Sequence, residues 1–242
     1  MTLSISRFWI ATVGAGRTRG KIGMATCPGW APRGYTSAGA VKDFEQDMGA
    51  IVRWAPSLVL TLLDHDELWE YRLGLLPQTL GEHSIPWQQF PISPTGIPDE
   101  AFELRWRQAS PALHDMLRAG SKLLVHCSDG MLRSGLLAGL LLVELGCRPE
   151  DAINRVRAAR PDALTMPEQR SFLLRQEIAR RADPARLAGA GQPGQSALGT
   201  QPASAAAHLV TGLARLKQTD SEATEQREPS PLVELAKYRQ SR

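Results

Sequence analysis

KLLVHCSDGMLRSGLLAGLLLVEL, residues 122–145, is the stretch that decides the fold. Lys122–Cys127, with Leu123–Val125 at its centre, reads as a short buried strand. Ser134–Leu145 is a mostly apolar run that reads as a buried helix. Between them a tight loop turns around Gly130. Strand, loop and helix in that order form the repeating unit of an α/β domain.

Outward from this unit the chain keeps alternating. Ser4–Val13 and Lys21–Thr26 read as extended. Val41–Trp54 places Val41, Phe44, Met48 and Ile51 at helical spacing. Ser57–Leu63 is a second buried strand, Asp66–Leu80 a helix, and Ile85–Ile92 a strand again. Asp99–Ala119 reads as a helix that Pro111 should break or kink. Pro149–Ala159 and Pro167–Ala182 complete the set. The expected architecture is α/β: three layers, α/β/α, around a mainly parallel central sheet.

Composition bounds what this architecture carries. The 242 residues, 43% hydrophobic and 22% charged, suit one domain with material to spare. The expected division is a catalytic domain over residues 1–182 and a tail over residues 183–242. Within that tail Ala188–Ala207 is rich in Gly, Ala, Ser, Gln and Pro, a composition expected to stay disordered. A net charge of +3 is too small to argue for nucleic acid, yet it does not oppose an anionic substrate. Cys27, Cys127 and Cys147 make no metal pattern and no disulfide framework, which points to a reducing compartment. His65, His83, His114 and His208 show no metal spacing either. With no apolar run long enough to cross a bilayer, the expectation is a cytoplasmic protein without metal or cofactor. Oligomeric state cannot be read from the sequence.

The chemistry concentrates in His126-Cys127-Ser128-Asp129-Gly130-Met131-Leu132-Arg133-Ser134. A loop between a buried strand and a helix lies at the carboxyl edge of the sheet, where open α/β folds bind ligands. The amides of Ser128, Asp129, Gly130, Met131, Leu132 and Arg133 would wrap inward. With the positive end of the following helix they make a cradle for a phosphate dianion. Cys127 at its floor is expected to be a nucleophile whose pKa the cradle lowers. Arg133 supplies a planar fork for two phosphate oxygens. Ser134 would hydrogen-bond the sulfur and help it leave, while His126 would fix the loop geometry. Such a set performs two-step phosphoryl transfer through a cysteinyl-phosphate.

These residues resemble the His-Cys-x-x-Gly-x-x-Arg-Ser/Thr loop of the protein-tyrosine and dual-specificity phosphatases. Within that superfamily the chain is most similar to small dual-specificity enzymes related to kinase-associated phosphatase, including bacterial relatives. Lys21–Met24 with Cys27-Pro28-Gly29, Pro91-Ile92 with Ile97-Pro98-Asp99, and Arg160-Pro161 followed by Gln169 extend the resemblance over about residues 5–180. It implies a phosphorylated protein or another phosphate monoester as substrate, and a supporting role for Gln169.

The pattern departs at the general acid. Relatives carry an Asp after Pro-Ile-x; here Pro91-Ile92-Ser93-Pro94 puts a proline there. Asp99 could serve instead, although capping the next helix is its expected role. Asp129 inside the cradle could serve, as in a Cys-Ser-Asp-Gly loop of the myotubularin type. The acid could also be missing. Two functions therefore compete: an active phosphatase, and a weakly active or inactive pseudophosphatase that binds phosphorylated partners. A sulfur- or arsenate-handling enzyme is disfavoured by Arg133-Ser134 and Gln169.

Overall fold

Five strands and seven helices follow one another in the computed structural model, which describes residues 8–29, 37–71 and 73–182. The expected tail and Ser4–Arg7 of the expected first strand lie outside the described residues. Ala11–Gly14 (β1) and Lys21–Ala25 (β2) pair antiparallel. Ser37–Trp54 (α1) leads to Leu58–Thr61 (β3). His65–Glu70 (α2), a short 3-10 turn Leu73–Leu75, and Leu76–Glu82 (α3) precede Trp87–Gln89 (β4). Glu100–Arg118 (α4) enters Lys122–His126 (β5). Leu132–Glu144 (α5), Pro149–Ala159 (α6) and Pro167–Ala182 (α7) close the described chain.

The sheet order is β1-β2-β5-β3-β4, and every pairing except β1–β2 is parallel. The mainly parallel α/β sheet expected from the alternating elements is therefore present. β5 is central, with β2 on one side and β3 on the other, which explains its buried Leu123–Val125 run. α5 packs on β2 and β5 and is covered in turn by α6 and α7. Every residue from Arg133 to Val143 is buried, so α5 has no solvent face to show amphipathic spacing.

Three elements differ from their sequence expectation. Asp66–Leu80 is not one helix but α2, a 3-10 turn and α3. Pro77 cannot donate to the Leu73 carbonyl and stands in the first turn of α3, the position where a proline is best tolerated. Pro111, expected to break or kink α4, sits inside a continuous helix. It is exposed, as is Arg107 one turn back, so the carbonyl it leaves unbonded belongs to a residue on the wet side. The strand expected over Ile85–Ile92 is regular only at β4. Its continuation still hydrogen-bonds irregularly, Phe90 N to Thr61 O at 2.7 Å and Ile92 N to Leu62 O at 3.1 Å. That extension carries the 91–98 loop to the carboxyl edge of the sheet, beside the end of β5.

Candidate active site

The loop after β5 closes against the end of β2. Gly130 has φ of +70°, and a Cβ there would lie 2.5 Å from the Ala25 carbonyl carbon and the Thr26 nitrogen. Only glycine satisfies both the left-handed backbone and that close approach. Cys27 N donates to Ser128 O at 3.4 Å, and Arg160 Nη2 to Asp129 O at 3.0 Å, so the loop is braced from two sides. Arg160 in turn lies over the Trp9 ring at 4.6 Å.

Cys127 is fully buried at the head of this loop, with Sγ 3.5 Å from Ser134 Oγ and 3.3 Å from Asp129 Oδ1. The same Oδ1 accepts from Met131 N at 2.9 Å and Leu132 N at 3.2 Å. A depressed thiol pKa is not what this arrangement gives. Burial, and after it the Asp129 carboxylate, push the thiol upward. Hydrogen bonds from Ser134 and the Arg133 charge pull the other way without prevailing. The Met131 and Leu132 amides, expected to face a phosphate, are instead occupied by the Asp129 carboxylate.

Arg133 enters from the first turn of α5 and is 3% exposed. Its Nη1 donates to Glu67 Oε2 at 2.6 Å and its Nη2 to Glu67 Oε1 at 2.7 Å, a bidentate pair. Nη2 also donates to Ser128 Oγ at 3.0 Å, and Nη1 to the Leu62 and Ile92 carbonyls at 3.4 and 3.3 Å. Glu67 is the site residue that sequence reasoning missed. The one signal available was Asp64-His65-Asp66-Glu67, a capping box whose reciprocal bonds are formed at the start of α2. Nothing in that motif announces that Glu67 also aims the arginine.

His126 does not bond the loop backbone. Its Nε2 lies 2.6 Å from Thr61 Oγ1, which also accepts from Trp87 Nε1 at 2.8 Å. The imidazole therefore ties the end of β5 to β3 and β4, and it is Arg133, Arg160 and Gly130 that shape the loop. Burial, then the Arg133 charge, bring its pKa down to about 3, so the ring is neutral. Gln169 is fully buried, its Nε2 donating to Gly96 O at 2.9 Å and Leu132 O at 3.0 Å. That pair of bonds ties the 93–96 turn to the cradle. Gly96, at φ +75°, packs where a Cβ would meet the Leu132 side chain at 2.6 Å.

Asp99 is exposed and caps α4, accepting from Phe102 N at 2.7 Å. Cys27 is buried, and burial raises its thiol pKa; Cys147 is half-buried against the core. His114 pairs with Glu144 at 2.9 Å, His65 and His83 are exposed, and His208 lies outside the described residues.

The backbone is shared with solved structures. The chain superposes on kinase associated phosphatase with a serine replacing its catalytic-site cysteine, at a TM-score of 0.61 and 23% identity. That match covers 73% of this chain and 97% of the other. This is the cysteine-dependent phosphatase fold. A mutant form of Tk-PTP gives a TM-score of 0.51 at 19% identity, covering 71% of this chain and 97% of its own. No protein-family model matches the sequence, and no curated protein matches it.

Proposed function

We propose that this phosphatase-fold chain hydrolyses phosphate monoesters, phosphotyrosine or phosphoprotein more broadly, through a cysteinyl-phosphate. The observation that carries the reading is that Cys127 and Arg133 stand at the two ends of one loop joining β5 to α5. Sγ lies at the head of the cradle, and a buried guanidinium is aimed by Glu67 beside it.

The steps follow from these positions. Cys127 first loses its thiol proton to solvent. Its sulfur then attacks phosphorus as the ester P–O bond breaks, and the departing oxygen keeps the bond's electron pair. Arg133 and the loop amides stabilise the negative charge on the transferring phosphoryl group. Water next attacks the phosphorus, the S–P bond breaks, and inorganic phosphate leaves with the water's oxygen. Ser134, at 3.5 Å from Sγ, is placed to hydrogen-bond the returning thiolate.

Pro94 favours the second reading, a weakly active module that binds phosphorylated partners. Hydrolysis of an aryl phosphate by wild type beside Cys127→Ser separates the two. A phosphatase loses turnover completely in the serine variant while oxyanion binding persists. Equal rates in both proteins would rule out the cysteinyl-phosphate route.

A further inference from the structure

Two amides of the loop and the Cys127 thiol all donate to one internal anion. Asp129 Oδ1 accepts from Met131 N, from Leu132 N and from the Cys127 thiol. Capping the start of α5 accounts for the two amides, since a carboxylate is a good acceptor for free N–H groups at a helix start. It does not account for the thiol. Contact with Sγ at 3.3 Å places the oxygen directly beside the nucleophile, at the head of the cradle.

We infer that Asp129 is a built-in competitor for the phosphate cradle, a gate that selects dianionic phosphate monoesters over singly charged anions. The inference rests on reading the 127–133 loop as a phosphate cradle. A phosphate that enters must take the Met131 and Leu132 amides from Asp129, and the carboxylate must turn out toward the rim. A monoanion gains no charge over the carboxylate it displaces. A dianion gains one, and it gains it beside Arg133. Binding therefore costs the free energy of opening, and apparent affinity falls by the fraction of molecules in the open state.

The same geometry explains why the resting thiol stays protonated. The groups facing Cys127 are Asp129, Arg133 and Ser134 on its own loop, Cys27 from the end of β2 and Arg160 ahead of α7. Among the charged ones Asp129 alone touches the sulfur, and it favours the thiol over the thiolate.

Calorimetric titration of inorganic phosphate tests the gate independently of turnover, so a catalytically silent protein is equally informative. Asp129→Asn retains an oxygen for both amides and removes only the charge; Asp129→Ser removes the group that fills the cradle. Both should bind phosphate more tightly than wild type, by about tenfold where opening is the dominant cost. Formate should compete with phosphate in the Ser variant and not in wild type, because it refills the vacated place. In parallel, iodoacetamide alkylation of Cys127, followed by mass spectrometry across pH, should shift to lower pH in Asp129→Asn. Phosphate affinity in Asp129→Asn equal to or weaker than wild type would overturn the gate. So would an alkylation profile that does not move.

Discussion

Proline at position 94 cannot give a proton, and Asp99 spends its carboxylate on the Phe102 amide at the start of α4. Asp129 Oδ1, beside Cys127, is taken up by the Met131 and Leu132 amides, so in the proposed hydrolysis no free side chain among the described residues stands there to protonate the leaving group. Its rate should then follow how well the group leaves unaided. Nitrophenyl phosphate should be hydrolysed readily and phosphotyrosine peptides more slowly, since the phenol has a pKa of about 10. Phosphoserine peptides should be nearly inert. Asp99→Asn keeps an equally good cap and should change the aryl phosphate rate by less than about tenfold, below the usual general-acid contribution. A loss of a hundredfold or more would make Asp99 the acid. Glu67 carries the other prediction at this scale. Its carboxylate is the bidentate partner of a buried guanidinium, so Glu67→Gln leaves that charge without its counter-ion. Chemical denaturation should show a loss of about 1.5–3 kcal/mol, and phosphate affinity should fall because the fork is no longer aimed.

Between strands, the Trp87–Thr61–His126 chain links β4, β3 and β5 immediately under the cradle. Its imidazole is buried and neutral, with a pKa near 3 against an unfolded value of about 6.5. The unfolded chain thus binds a proton between those values that the folded one does not. This contribution is fully present above pH 6.5 and is lost as pH falls toward 3. Comparing denaturation of wild type and His126→Asn at pH 7 and pH 5 isolates the effect. The stability gap between them should narrow by roughly 2 kcal/mol on going to the lower pH. A constant gap would mean that the ring titrates normally. The same layer shows why some elements were misjudged from their residues. Pro111 lies on an exposed part of α4, where the lost backbone bond costs little. Pro77 lies in the first turn of α3, where its missing N–H is best tolerated.

At the level of the whole molecule, α7 completes the core of the described residues. α5 is covered by α6 and α7, and Phe172 and Leu173 of α7 are among the buried residues. Truncation after Ala182 should therefore leave the melting temperature within a few degrees of the full chain and leave aryl phosphatase activity intact. A large drop would show that the 183–242 segment packs on the domain. Stopping before Pro167 should instead unfold the protein, because it strips α7 from α5 and removes Gln169 from the 93–96 turn.

The sequence by itself determined the α/β alternation, the buried central strand, the phosphate-type loop and its position at the sheet edge. Those are local properties: periodicity, an apolar run, and a motif whose residues are neighbours in the chain. It also pointed to the capping role of Asp99, because a helix cap is settled within a few residues. Only the tertiary structure decided that Glu67 holds Arg133, that His126 bonds Thr61 across the sheet, and that Gln169 ties the 93–96 turn to the cradle. These partners lie 66, 65 and 73 residues apart. Side-chain chemistry names what each group can bond, but only the fold chooses which partner comes within reach. Asp129 marks the boundary between the two. Its place in the motif was legible, yet only the structure shows its carboxylate turned in toward Cys127 and onto the Met131 and Leu132 amides.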